Sequence, residues 1–420
     1  MEQGRVLKRL APRPRPYRSV FGDFQLERFV YGQREGQAIE LIPLDARLQL
    51  PETCTSFLLQ SWNERLMIEQ PYAQTNDLLE RVLEVRQSVQ TLERQQAGLS
   101  TSVDAFWARR PAPEPASANT LVVNTVDVKG VAMRASETRG VGGKKKMALL
   151  GSVYSIAPFV RTPDAVLEAL FAEKTSVLKP APTARPKPLH KAVRAGLIRD
   201  AEDHSGEQAR MIFDWMQYQN RLRNPDGARH TVVLIDGQCS LWQAAATHLP
   251  GEHVTEILDV IHVAGYLWEA AEVLEDTPEQ CRAWVKTALG QVLHGQVADV
   301  LTDLDAQRKP RRGRARKRLD SVYTYLDVNR QRMAYDAYLE AGFPIAAGVI
   351  EGACRHLVKD RHGALRHALD RPGAHAMLQL RSVALSELWE PFMDFRIHSE
   401  LSRLYGDQAA NDDQALPIAT

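Results

Sequence analysis

Three carboxylates stand out for where they fall in the sequence. Asp127 follows the strand-forming run LVVNTV, Asp236 follows TVVLI, and Glu351 lies in GFPIAAGVIEGACRHLVKDR just past a Gly/Pro break. An acid at the end of a buried strand is either a turn-forming cap or a working group on a rigid support. Carboxylates converging from separate elements repel one another unless divalent cations lie between them. Mg²⁺ and Mn²⁺ favour such oxygen ligands, and two ions ~3.5–4 Å apart stabilise both the attacking and the leaving oxygen of a phosphoryl displacement. Asp259 and His262, spaced D-x-x-H, are a further pair. Their plain reading is a strand-end cap with a satisfied core histidine.

The elements needed to position these acids can be read from hydrophobic patterning. LVVNTVDVKG (121–130), VAMRAS (131–136) as its hairpin partner, and KMALLGSVYSIAP (146–158) read as three strands. Helical pieces follow at 163–172 and 207–222. TVVLID is a fourth strand, LWQAAATHL (241–249) a short helix and HVTEILDV (253–260) a fifth strand. Three antiparallel-capable strands followed by two helix–strand units is the element order of a ribonuclease-H-like sheet. In that fold the first and fourth strands lie side by side, about 5 Å apart, so Asp127 and Asp236 would emerge at one sheet edge. The reading is α/β: a ribonuclease-H-like mixed sheet with a large all-helical insertion, preceded by a mostly helical N-terminal domain.

Two proline-rich stretches, RRPAPEPASAN (109–119) and KPAPTARPKP (179–188), suit exposed connectors. The expected divisions are 1–118, an N-terminal DNA-binding or assembly region; 119–261, the first part of the sheet domain; 262–341, the helical insertion; 342–395, the final core helix and C-terminal helices; and 396–420, a flexible tail. The N-terminal region opens with a hairpin formed by DFQLERFVY and AIELIP. In NDLLERVLEVRQSVQTLE, Leu78, Leu79, Val82, Val85, Val89 and Leu92 share a helical face. That face serves either an intramolecular core or a DNA-binding or dimerising module. In the insertion, Thr277-Pro278-Glu279-Gln280 supplies an N-cap, a proline at N1 and a glutamine at N3.

Bulk composition narrows the function classes. The 420 residues carry 53 Lys+Arg against 52 Asp+Glu, a net charge of +1, so any basic surface is local. Four scattered cysteines without a CxxC pair argue against a zinc knuckle or a disulfide framework. No run of ~18 apolar residues predicts a membrane span, and the basic N terminus lacks an apolar signal core. The chain is expected to be cytoplasmic, and nucleoid-associated if it belongs with the DNA-acting family resembled below. RKPRRGRARKR (308–318) places Arg308, Lys309, Arg311, Arg312, Arg314, Arg316, Lys317 and Arg318 in one tract, expected as a loop within the insertion. Such a cluster is either a solvated tract or a phosphate-binding patch whose binding weakens with salt. Trp268 and Trp284 could stack on unpaired bases, but their spacing fits a helix core better.

The blocks LVVNTVDVKGVAMR, GSVYSIAPFVRTPDAVLEALF, VVLIDGQCSLW, ILDVIHVAGYLWEAA and GVIEGACRHLVKDR resemble, in order, those of bacterial insertion-sequence transposases of the ISKra type. These are DDE transposases with a ribonuclease-H-like catalytic domain. The upstream stretch SVFGDFQLERFVYGQREGQAIELIPLDARLQLPE is similar to the group's N-terminal region, so the resemblance spans roughly 15–395. It implies Asp127, Asp236 and Glu351 as the catalytic acids holding two Mg²⁺ or Mn²⁺ ions. Asp259 and His262 match a D/C-x-x-H element that supports the site or the DNA, and Asp259 is the rival candidate for the second acid. The implied partners are double-stranded DNA, as transposon ends and target, and further copies of the chain in a dimer or larger assembly; the implied activity is DNA cleavage and strand transfer. Some residues depart from the group: Val128 stands where glycine usually follows the first acid, Ala346-Ala347-Gly348 replaces a Gly-Ser-Gly-like break, and a downstream Gly-x-x-Trp is missing. The alternative is a nuclease-only or non-catalytic DNA-binding derivative of such an enzyme.

Overall fold

A computed structural model describes residues 7–36, 38–114, 116–117, 119–134, 145–172, 185–198, 206–348, 350, 352 and 370–406. Two compact units divide the chain: Met1–Arg110 together with Asp360–Thr420, and Pro111–Lys359. The C-terminal helices thus group with the N-terminal region, whereas the sequence reading joined 342–395 to the sheet.

The first unit begins with two short antiparallel pairs, β1 (Lys8–Arg9) with β4 (Tyr31–Gly32) and β2 (Arg15–Ser19) with β3 (Gly22–Leu26). Residues 23–26 therefore pair with the segment before them, and only an isolated bridge, Tyr31 to Leu41, joins FVY to AIEL. The chain favours the tight turn at Val20–Phe21, where Gly22 takes the positive φ of 115° the turn requires. Five helices follow: α1 (Pro43–Arg47), α2 (Phe57–Glu69), α3 (Tyr72–Leu83), α4 (Val89–Ser100) and α5 (Val103–Arg109). The expected continuous helix over 76–93 is two helices. Glu84 ends α3 in the left-handed region, and the Ser88 side chain caps α4 by accepting from the Thr91 N–H at 3.0 Å. Leu79, Val85 and Leu92 are buried, but Leu78, Val82 and Val89 are exposed. Helices Arg371–Leu385 and Trp389–Tyr405 complete this unit. Arg381 Nε donates to the Ile68 carbonyl at 2.6 Å, and Trp389 Nε1 donates to Ser61 Oγ at 3.2 Å.

The second unit is built on a five-stranded mixed sheet, β7 (Leu189–Leu197), β6 (Lys145–Ile156), β5 (Leu121–Ala132), β8 (Thr231–Ile235) and β9 (Val254–Leu258) lying side by side in that order. β5 and β6 pair antiparallel over their full length, and β7 adds antiparallel to β6. β8 and β9 add parallel on the other side of β5. The first and fourth strands of the sheet are thus neighbours, as the element order predicts. Two corrections concern the strands around them. The start of VAMRAS is no hairpin partner: β5 runs on into it as far as Ala132, with Val131 opposite Lys146 and Ala132 opposite Lys145. The outermost strand is instead LHKAVRAGL, which the proline-rich connector before it concealed. Its Ala192 to Leu197 are all buried.

Helices close the sheet. α6 (Pro163–Phe171) lies between β6 and β7 in the chain, α7 (Glu207–Arg223) precedes β8, and α8 (Cys239–His248) links β8 to β9. α7 packs tightly on β6: a Cβ on Gly151 would come within 2.9 Å of Ile212 and 2.8 Å of Met216. After β9 the chain is helical throughout α9 (Val260–Leu274), α10 (Pro278–Leu293), α11 (Val297–Arg308), α12 (Gly313–Asn329), a 3₁₀ turn at Arg330–Arg332 and α13 (Tyr335–Glu340). The predicted helix start at Thr277 is a full capping box: the Gln280 N–H donates to Thr277 Oγ1 at 3.2 Å and the Thr277 N–H to Gln280 Oε1 at 3.0 Å. The basic tract is not one loop. Arg308 ends α11, Gly313 opens α12, and only 309–312 connect them. No described helix is long and apolar enough to cross a membrane.

Candidate active site at the strand ends of the mixed sheet

β8 stops one residue before Asp236, while β5 continues through Asp127. Their parallel register ends at Val126 opposite Ile235, so Asp127 and Asp236 are the next residues on adjacent strands, about 5 Å apart along the sheet. Asp127 lies within β5 rather than at its end, as the sequence suggested. The edge at which the acids meet is set by where β8 stops. Asp127 is buried; its Oδ1 accepts from the Val128 N–H at 2.6 Å, and its Oδ2 pairs with Lys129 Nζ at 3.0 Å. Asp127 and Lys129 are two apart on one strand, so their side chains share a face. Asp236 Oδ1 accepts from the Gln238 N–H at 3.2 Å.

The next strand carries the pair spaced D-x-x-H. Asp259 follows β9 directly and is fully buried. It caps α9, Oδ1 accepting from the Ile261 N–H at 2.8 Å. Its Oδ2 lies 3.3 Å from His262 Nδ1 and also accepts from the Ala347 N–H at 3.3 Å. The Val260 N–H donates to the Ile345 carbonyl at 3.0 Å. Asp259 therefore serves as a strand-end cap and as the partner of His262 at once. The segment 345–347, shortly before Glu351 in the chain, is tied down beside it. Glu351 lies outside the described residues.

The charges interact as their placement requires. Burial pushes the Asp236 carboxyl above its ordinary value, and the nearby Asp127 adds to this. The Gln238 N–H, His262 and Lys129 act against it. His262 is raised above its ordinary value, chiefly by its hydrogen bond to Asp259; Asp236 and Asp127 add to this, while partial burial opposes it. Lys129, paired with Asp127, and His262, held by Asp259, thus flank the two acids. Beside the start of α9 a cavity of 760 Å³ is lined by Arg161, Val166, Leu170 and Ile261, among others.

Two residues at the site were not anticipated. Tyr325 of α12 donates its hydroxyl to the Asp236 carbonyl at 2.8 Å, and Tyr335 of α13 donates to the Leu258 carbonyl at 2.7 Å. The helices after β9 thereby cap the carbonyls where β8 and β9 stop. Gly237 accommodates this contact. Its φ is +99°, and a Cβ there would lie 2.6 Å from the Tyr325 ring. Lys129 was also missed, although its i, i+2 spacing from Asp127 in a strand pattern was a usable signal. Nothing in the sequence of α12 marks Tyr325.

The basic tract is divided between paired and exposed cations. Arg308 pairs with Asp305 and Asp320, Lys309 with Asp305, Arg316 with Asp320, and Arg318 with Glu269 and Glu272. Arg311 donates to the Val273 carbonyl at 3.2 Å. Arg312, Arg314 and Lys317 are exposed at the start of α12, with no partner among the described residues. Trp268 and Trp284 are both partly exposed.

The donor chemistry suits a divalent cation. Asp127 and Asp236 offer hard oxygen ligands from one rigid edge, and burial raises the Asp236 carboxyl there, with the neighbouring Asp127 adding to it. Among the described residues, no three His, Cys, Asp or Glu side chains gather into a metal-binding group. Glu351 is the third acid that the sequence offers. No family model and no curated protein matches the chain.

Proposed function

We propose that the chain is a metal-dependent DNA transposase, built on a ribonuclease-H-like sheet, that cleaves DNA at the ends of an insertion sequence and joins it to a target. The reading is carried by the adjacency of Asp127 and Asp236 on the central parallel strands, where two carboxylates meet at one sheet edge. The strand order and the all-helical segment after β9 support it. Asp127, Asp236 and Glu351 would hold the metal. Ala347, four residues before Glu351, is bonded to Asp259, so the chain joining them spans at most about 14 Å.

Two bound Mg²⁺ or Mn²⁺ ions supply, at such a set of acids, charge stabilisation of the attacking and leaving oxygens of a phosphodiester. The chain's own residues supply the rest. Asp127 and Asp236 fix the oxygen ligands on a rigid sheet. Asp259 holds His262 by Nδ1, leaving Nε2 for the DNA or the site. Arg312, Arg314 and Lys317 bind the phosphate backbone by charge. Hydrolysis at the element's end and attack of the freed 3′-hydroxyl on target DNA are both phosphoryl transfers that one such site serves by positioning. The protein would act on double-stranded DNA as a homodimer or larger assembly.

The test is cleavage and joining of labelled DNA ends with Mg²⁺ or Mn²⁺, wild type beside Asp127→Ala, Asp236→Ala and Glu351→Ala. The expected result is loss of cleavage by at least about 10²-fold in each variant, with DNA affinity retained or improved because a charge repelling phosphate is gone. Cleavage at the wild-type rate in the Asp236 variant would refute the assignment. Cleavage without joined products would indicate a nuclease; binding without cleavage in the wild type would indicate a non-catalytic DNA-binding protein.

A further inference from the structure

We infer that Tyr325 is a positioning residue for the Asp236 carboxylate, acting from the helical segment through the Asp236–Gly237 peptide. This deepens the proposed function and rests on Asp236 being a metal ligand. Three observations converge on it. The Tyr325 hydroxyl donates to the Asp236 carbonyl at 2.8 Å, just past the end of the β8 pairing at Ile235. The Tyr325 ring lies against Gly237, whose backbone conformation and missing side chain leave room for it. The ring is also stacked on Tyr266 of α9, centroids 3.7 Å apart and planes 13° from parallel.

The arrangement fixes the peptide from two sides. The hydroxyl holds the carbonyl, and the ring face blocks rotation of the following residue. Tyr266, one helix away, prevents the ring itself from swinging out. A carboxylate on such a peptide keeps its direction even when nearby charges repel it. Tyr335 does the same for the strand end that precedes Asp259, bonding the Leu258 carbonyl. Asn329 Nδ2 donates to the Tyr325 carbonyl at 2.9 Å, which anchors this turn of α12.

The test is Mn²⁺ binding to the full chain without DNA, read as loss of the free-ion signal in electron paramagnetic resonance. Wild type is compared with Tyr325→Phe, Gly237→Ala and Asp236→Ala. Tyr325→Phe keeps the ring and the stack and removes only the hydroxyl, so folding is retained. Its expected effect is a five- to tenfold weaker Mn²⁺ affinity, with DNA affinity within twofold of wild type. Gly237→Ala should weaken Mn²⁺ similarly by displacing the ring. In cleavage assays the Tyr325→Phe defect should shrink as Mn²⁺ is raised, a rescue that a general loss of fold does not show. Tyr325→Phe binding Mn²⁺ as wild type does, while Asp236→Ala loses it, would overturn this inference and leave the proposed function standing. Wild type and Asp236→Ala binding Mn²⁺ alike would overturn both.

Discussion

Asp259 carries three interactions from a fully buried position, so its replacement separates their contributions. Asp259→Ala removes the cap on the Ile261 N–H, a loss of about 1 kcal/mol. It also leaves the Ala347 N–H, itself buried, without an acceptor, at about 1–3 kcal/mol. Together these predict a loss of about 2–4 kcal/mol in the sheet unit. Asp259→Asn keeps a capping oxygen, but its amide nitrogen cannot accept from Ala347, so the asparagine variant should recover about 1 kcal/mol relative to alanine. Because the chain has two units, a single unfolding midpoint mixes them. Native-state hydrogen exchange over residues 254–274 reads the affected region directly. A pH arm follows from His262. Its folded value is raised above the unfolded 6.5. The stability it contributes is fully present below 6.5 and is lost as pH rises through the folded value. Asp259→Asn in the metal-free protein should flatten that slope and lower the His262 pKa seen by NMR. The reasoning fails if Asp259→Ala costs under about 1 kcal/mol, or if His262 titrates unchanged in the asparagine variant.

Two further outcomes follow from the helices after β9. Replacing Arg312, Arg314 and Lys317 together by alanine should weaken duplex binding uniformly across sequences. It should also reduce the slope of log affinity against log salt by up to about 2.7 if each neutralises one phosphate; the same change at the internally paired Arg316 should affect the slope less. Thr277→Ala should cost about 1 kcal/mol by opening the capping box, measured as faster exchange in the first turn of α10, with Thr277→Ser close to wild type.

Much of the second unit was legible because its signals are local. The apolar runs of β5, β6, β8 and β9 match buried strands, and Thr277 to Gln280 announce the start of α10. The closeness of Asp127 and Asp236 followed from element order alone. What escaped the sequence depends on tertiary context. β7 reads as a basic connector because Lys191 and Arg194 interrupt its apolar residues, and Arg194 is nonetheless buried. The break between α3 and α4 hinges on Glu84 adopting a left-handed conformation that its residue type does not advertise. Half of the basic tract is internally neutralised by Asp305, Asp320, Glu269 and Glu272, whose proximity depends on how α9, α11 and α12 pack. Tyr325 belongs to the site only because α12 folds back over the end of β8.

The first unit is assembled from both ends of the chain, with the sheet unit inserted between them. Arg381 and Trp389 complete contacts with α2 that residues near the N terminus cannot make for themselves. On the ribosome the leading segment must therefore wait, partly solvated, while the whole sheet unit is synthesised. At about 5–20 residues per second that delay lasts tens of seconds. A premature stop near residue 365 would strand the opening helices without their partners while leaving the strands around Asp236 intact.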